Sequence, residues 1–277
     1  MAVHQTFQYE GFQIEYATRG SGAIPVICLH GFNRPLEDML IFESILKPEE
    51  YLVSIQLFHH GKSKIPEDFI VENGIPGSVL SLLILRFLDH LKARNFNLIA
   101  YSIGGRVSMY LLTQMPELIK KILLVAPDGL YVNPFYQWMN HSFIGRKIFK
   151  SVLQKPKPFL GIVDLLWKAK IIPSKLHRFV HVHMGADRSE QERLMIYNCW
   201  QTYKFSYPDF NALSRCVSEQ KINWQLILGE FDSVIKVKHA KKLPPILKAQ
   251  GAYHILPSGH LLLNLDTIKY IQSNHLW

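Results

Sequence analysis

Ser102 stands in the string Ala100-Tyr101-Ser102-Ile103-Gly104-Gly105, after a segment that reads as a strand (Phe96–Tyr101) and before one that reads as a helix (Ile103–Gln114). Serine at such a turn has two readings. It can cap the helix, a position serine favours. It can also be a nucleophile, because a G-x-S-x-G string between strand and helix lifts the hydroxyl onto a sharp, strained turn. Small residues two positions to either side let that turn close. Gly104 meets the demand, and Ala100 replaces the first glycine at the cost of one methyl group. The turn would also set Ser102 at a helix N-terminus, where free N–H groups favour developing negative charge. The Ile103 N–H is then one candidate oxyanion donor.

A serine hydroxyl is a weak nucleophile at neutral pH and needs a base. The chain has 13 histidines, so a histidine alone decides little. His260 is singled out by context: it follows a strand-like run in Leu256-Pro257-Ser258-Gly259-His260 and precedes an apolar, helix-like one. A third group must orient the imidazole. Asp232, in Leu228-Gly229-Glu230-Phe231-Asp232, also lies just past a strand, on the edge where open α/β sheets bind ligands. Glu230 and Asp128 compete for that role; Asp128 also follows a strand, and its alternative is a turn or cap. His30-Gly31-Phe32 follows an early strand. Gly31 would allow close backbone approach, and Phe32 N–H is a candidate second oxyanion donor. A plain strand-end turn is the alternative there.

The elements that must position these groups can be read from the apolar pattern. Thr6–Tyr16 reads as two short strands around Glu10-Gly11. Pro25–Leu29, Tyr51–Ile55, Phe96–Tyr101 and Ile119–Val125 read as strands, several of them buried apolar runs. Leu36–Leu46, Val79–Ala93 and Ile103–Gln114 read as helices between them. The alternation implies βαβ units and a parallel sheet. It resumes with strand-like Trp224–Leu228, helix-like Val237–Lys248, strand-like Ala252–Leu256 and helix-like Leu261–Ile271. The intervening stretch lacks strands and reads as several short helices, one opening at a Ser189/Glu192 capping box. The expected organisation is an α/β core at residues 1–127 and 216–277, with a helical cap inserted at 128–215.

Taken together, these motifs resemble those of the α/β-hydrolase fold family, of its capped serine hydrolase or esterase type. The order Ser102, Asp232, His260 is the family's order. His30-Gly31-Phe32 is similar to its oxyanion strand end, and His59-His60-Gly61-Lys62-Ser63 to its G-H-G-x-S loop, with His59 in place of the first glycine. Gly229-Glu230-Phe231-Asp232 resembles its acid loop and Gly259-His260 its histidine loop. The resemblance covers residues 10–128 and 215–277. It implies a mostly parallel eight-stranded sheet flanked by helices. It also implies a Ser102–His260–Asp232 triad, with Phe32 and Ile103 N–H groups as oxyanion hole and His30, Gly31 and Gly104 in support. Relatives that form alkyl-enzyme esters carry aspartate at the elbow, so Ser102 points to an acyl-enzyme. The expected activity is hydrolysis of a carboxylic ester or thioester with an apolar acyl or aryl group. Carbon–carbon bond hydrolysis with the same triad, or a ligand-binding protein with weak catalysis, are the alternatives.

Bulk properties bound the rest. Of the formal net charge of +9, residues 128–215 supply +7, from 13 Lys and Arg against 6 Asp and Glu. That stretch is also rich in aromatics, among them Phe135, Trp138, Phe143, Phe149, Trp167, Phe179 and Trp200. It reads either as cap packing with a solvated basic face, or as an apolar acyl site under a basic surface that meets anionic membrane or an anionic substrate. No recognition motif supports nucleic-acid binding. Cys28, Cys199 and Cys216 are widely spaced and odd in number, which favours reduced thiols. With neither a signal-like N-terminus nor a long apolar run, a cytoplasmic location is expected. No cofactor and no metal are expected: His181-Val182-His183 is a candidate ligand pair, but its spacing offers no third and fourth ligand.

Overall fold

In the computed structural model of the chain, residues 2–184, 189–249 and 251–277 are described, the side chains of Phe179, His183 and Met184 excepted. They form two compact units. The first runs from the N-terminus to Phe69 and includes Ile75–Val132 and Phe205–Trp277; the second comprises Ile70–Gly74 and Asn133–Lys204.

The first unit is built on eight strands: β1 (Val3–Tyr9), β2 (Phe12–Arg19), β3 (Ile24–Leu29), β4 (Glu50–Ile55), β5 (Phe96–Tyr101), β6 (Ile119–Val125), β7 (Asn223–Gly229) and β8 (Tyr253–Leu256). Their spatial order is β1-β2-β4-β3-β5-β6-β7-β8. β1 and β2 form an antiparallel hairpin through Glu10 and Gly11, both at positive φ, and β2 pairs antiparallel with β4. Every later pair is parallel. Parallel strands carry helices on both faces and so read as unbroken apolar runs. Val26, Cys28, Ile99 and Leu123 pack with Met39 and Phe42 of a 3-10 helix (Leu36–Ile45) and with Ile268 and Ile271 of the last helix. The helices of this unit are α1 (Gly77–His90) and α2 (Ile103–Gln114), then, after the insertion, α8 (Phe210–Glu219), α9 (Val237–Ala240) and α10 (Leu265–Ser273). α2 packs on β3, β5 and β6, and α8 packs on α2.

The strand order positions the site. β4 lies on one side of β3 and β5 on the other. The chain therefore reverses its winding at β3, and the loops leaving β3 and β5 diverge at the C-terminal edge of the sheet. That topological switch point is where open α/β sheets hold ligands. β7 and β8 are parallel to β5, so the loops carrying Phe32, Ser102, Asp232 and His260 all leave the same edge.

The second unit holds α3 (Pro134–His141), α4 (Phe143–Gln154), α5 (Pro156–Lys168), α6 (Ser174–Met184) and α7 (Glu190–Thr202). Its core is Phe149, Leu153 and Tyr197, joined by Met139, Ile196 and Trp200. α7 opens on the expected capping box: Ser189 Oγ accepts from Glu192 N, and Glu192 accepts from Ser189 N.

The structure departs from the sequence expectations at several boundaries. The helical unit starts at Asn133 rather than Asp128 and ends at Lys204 rather than Arg215. Asp128 stays with the sheet because its N–H donates to Ser102 O, and α8 stays because it leans on α2. Ile70–Gly74 joins the helices through Glu72, whose carboxylate meets Lys150 Nζ (2.8 Å) and Tyr197 Oη (3.2 Å). Val237–Lys248 is not one helix: it is the single turn α9 and a 3-10 turn (Pro245–Lys248), since prolines at 244 and 245 cannot continue a helix. Among the described residues no helix is long and apolar enough to cross a membrane, and all three cysteines are free.

Candidate active site

Ser102 sits between β5 and α2 with φ 51° and ψ −120°. A side chain resists this left-handed backbone, and the neighbours impose it. Ser102 N–H donates to Val125 O (3.2 Å), and Ser102 O accepts from Gly105 N (2.9 Å) and Asp128 N (2.8 Å). A Cβ at position 104 would run into the Leu29 carbonyl, so glycine is required there for α2 to approach β3. Ala100 is fully buried between β3 and β6, paired with Leu29 and Leu124, and its methyl group is accommodated. Ser102 does not cap α2: its side chain makes no cap hydrogen bond.

The hydroxyl instead faces His260. Ser102 Oγ lies 3.2 Å from His260 Nε2, and His260 Nδ1 lies 2.7 Å from Asp232 Oδ2. A carboxylate can only accept, so Nδ1 carries the proton and Nε2 offers its lone pair to the serine. Asp232 is held in turn by two N–H donors, Val234 N (2.7 Å) and Ile235 N (2.8 Å), on its other oxygen. Its side chain is fully buried, whereas the His260 ring is partly exposed. The competing acids are elsewhere. Asp128 accepts from its neighbour Gly129 N (2.7 Å) and faces Arg106 (3.5 Å), the turn role weighed as its alternative. Glu230 points no carboxylate at His260; its backbone N–H joins Leu256 O.

The loop after β3 is tied down by two histidines. His30 is fully buried. Its Nε2 accepts from Leu57 N (2.9 Å) and faces the Gln56 amide (2.9 Å), so the proton is on Nδ1, which donates to Gly31 O (2.7 Å). His60 Nε2 accepts from Asn33 N (2.9 Å). The carbonyl before Phe32 and the N–H after it are therefore both pinned, and Phe32 N–H has no acceptor among the described residues. Ile103, first in its helix, has an N–H without an intrahelical acceptor. Gly31 is needed for close approach: a Cβ there would meet the Tyr101 ring at 2.7 Å and Ser102 Cβ at 3.2 Å. His59, which replaces a glycine of the family pattern, holds φ 68°, the conformation glycine would adopt freely.

Two contributors escape sequence reasoning. Tyr101 Oη donates to His260 O (3.0 Å) and its ring packs 5.3 Å from the imidazole, so it fixes the histidine loop from β5. Burial pushes its hydroxyl up to about 12. No signal marks it beyond its place beside Ser102. His60 lies in a recognised motif, but its acceptor role appears only when that loop is brought beside Asn33. The candidate pair His181 and His183 is set aside for want of further ligands, and half of it, the His183 side chain, lies outside the described residues. His181 meets His177 and Asp164.

A family model described as the α/β hydrolase fold matches residues 24–265. The uncharacterized hydrolase YugF of Bacillus subtilis is 23% identical over 273 residues, covering 92% of this chain and 90% of that one. The dihydrolipoyllysine-residue acetyltransferase component of the acetoin cleaving system of Cupriavidus necator is 28% identical over 168 residues; the match takes in 59% of this chain and only 43% of that protein. A solved hydrolase from Pseudomonas aeruginosa superposes with a TM-score of 0.62 at 17% identity, covering 99% of this chain and 97% of that one.

The two pinning histidines give a pH dependence with a definite sign. Burial, then the neighbouring His60, hold His30 down to about 3, against the opposing pull of its bond to Gly31 O. Burial lowers His60 as well. Unfolded, both imidazoles take up protons near the ordinary value of about 6.5. The stability that His30 contributes is present above that value and is lost as pH falls from it toward about 3, and His60 acts in the same direction. In 15N-labelled protein the His30 ring is expected to stay neutral, as the Nδ1–H form, from about pH 7 to about pH 4.5. A His30 titration centred near the unfolded value would contradict the assignment.

Proposed function

The chain belongs to the α/β hydrolase fold family, and from that premise we propose that it is a serine hydrolase working through an acyl-enzyme. The observation that carries this reading is the continuous relay from Ser102 Oγ through His260 to Asp232, at 3.2 Å and 2.7 Å. In the proposed reaction Ser102 Oγ attacks the substrate carbonyl and His260 Nε2 takes its proton. Asp232 steadies the imidazolium, and the Phe32 and Ile103 N–H groups hold the oxyanion. His260 then protonates the leaving group, and a water activated by the same imidazole releases the acid.

The substrate we infer is a carboxylic ester or thioester with an apolar acyl or aryl group. Phe231 and Leu261, next in the chain to Asp232 and His260, are 68% and 62% exposed. Apolar side chains left in water beside a polar relay favour an apolar group bound there. In a panel of aryl esters, medium-chain acyl groups are expected to outpace acetate, and Ser102→Ala is expected to lower kcat/KM by about 10⁴-fold or more. A strict preference for acetate would exclude the apolar acyl site. Activity retained in Ser102→Ala would exclude the nucleophile, and turnover of a β-diketone in place of every ester would move the reading to carbon–carbon cleavage.

We further infer that the helical unit touches anionic lipid. On α4, Phe143 and Ile144 are more than 60% exposed and Lys147 sits 4.3 Å over the Phe143 ring. On α5, Ile162 and Leu165 are also exposed, at 57% and 67%. Exposed apolar side chains interleaved with lysine suit an interfacial helix, where burial and charge attraction add. Sedimentation with vesicles is expected to retain the protein on phosphatidylglycerol-containing lipid and not on pure phosphatidylcholine, and Ile144→Glu with Lys147→Glu is expected to abolish retention. Equal behaviour on both lipids would contradict the surface.

A further inference from the structure

In the helical unit, α5 and α6 pack together as a hairpin. Asp164 on α5 faces His177 and His181 on α6. His177 Nε2 lies 2.7 Å and His181 Nε2 2.8 Å from the same oxygen, Asp164 Oδ1. The two imidazoles are one helical turn apart, so both project from one face of α6, with ring centroids 4.5 Å apart. All three donor atoms lie within 4.8 Å of one another. The side chains are 21%, 36% and 42% exposed for His177, His181 and Asp164, so the cluster is neither sealed nor freely solvated.

We propose that Asp164, His177 and His181 form a binding site for a divalent transition metal of the zinc class, coordinated by two imidazole nitrogens and one carboxylate oxygen with water completing the shell. Imidazole with carboxylate is a borderline donor set that suits zinc and its neighbours and disfavours calcium and magnesium. Tetrahedral ligands about 2.05 Å from zinc stand roughly 3.3 Å apart, so each nitrogen must withdraw from Oδ1 by about half an ångström, and the two nitrogens, which lie within 4.8 Å of each other, must settle at the same spacing. Without metal, each Nε2–H donates to Asp164. With metal, each Nε2 presents its lone pair and the ring proton moves to Nδ1, an exchange through solvent that leaves both rings neutral.

Two further contacts limit the freedom of the ligands. The Trp167 ring stacks on His177 at 4.5 Å and 23°, and Trp167 Nε1–H donates to Ser174 Oγ (3.1 Å) at the start of α6. The tryptophan thus braces one ligand from α5, which lowers the ordering cost of binding. A metal here would cross-link the hairpin and owes nothing to Ser102.

The test is calorimetric titration of the full, chelator-treated chain with Zn²⁺, repeated in the Ser102→Ala background so that the hydrolase reading cannot affect the result. One equivalent is expected to bind, weakened at least about tenfold by His181→Ala and by Asp164→Asn. Zn²⁺ is also expected to raise the melting temperature of the parent but of neither variant. Co²⁺ should give visible absorption of the intensity of a low-symmetry nitrogen–oxygen site, lost in both variants. Absence of binding, or binding equally tight in two folded variants, would overturn the site and leave a carboxylate-bridged histidine pair. Should one variant fail to fold, the other decides.

Discussion

The sheet edge depends on holding one residue with a side chain in a backbone conformation that side chains resist. Ser102 at φ 51° and ψ −120° carries strain of about 1–3 kcal/mol, to judge by residues in similarly sparse regions. That strain persists because three backbone hydrogen bonds meet at the residue and because Gly104 lets α2 sit against the end of β3. The constraint spreads outward. Ser102 O also fixes Asp128 N, which keeps the turn after β6 with the sheet. Gly31 must lack a side chain because Tyr101 and Ser102 occupy the space a Cβ would need. The tight turn that exposes the hydroxyl thus dictates one glycine beside it, Gly104, and one on the loop after β3, Gly31.

Hydrogen-bond direction does the remaining work. Asp232 receives two backbone N–H groups on one oxygen and the imidazole on the other, so the histidine tautomer follows from the carboxylate having nothing to donate. On the opposite side of Ser102, His30 and His60 use their ring nitrogens as acceptors for backbone N–H groups. Their low proton affinity and their role have one origin: burial disfavours the charged form and leaves a neutral ring whose lone pair faces inward. Three histidines around one edge are therefore divided in function by what each faces. Two accept from backbone, and one bridges a hydroxyl and a carboxylate.

Much of this was legible in the sequence, and the boundary of legibility is physical. Ser102, Asp232 and His260 could be read because each follows an apolar strand run, and parallel strands bring their C-terminal ends to one edge. Asp128 shared that signal, and only the hydrogen bonds of its turn separate it from Asp232. The break in Val237–Lys248 is written in Pro244-Pro245, whose missing N–H groups outweigh the apolar periodicity of the segment. The joining of Glu72 to Lys150 and Tyr197 was not visible, because no local pattern reports a contact across some 80 and 125 positions. The same holds for Asp164. His177 and His181 are spaced as one helical turn, but nothing local in the sequence brings Asp164 to them across the α5–α6 hairpin.

On the proposed reading, the turn and the relay together make Ser102 an activated nucleophile. The most direct measurement is peptide mapping of the native protein after reaction with a fluorophosphonate. One adduct is expected, on Ser102, that forms in the folded chain and is lost in His260→Ala although the serine remains. A folded protein that stays unmodified, or an adduct on another residue, would contradict it.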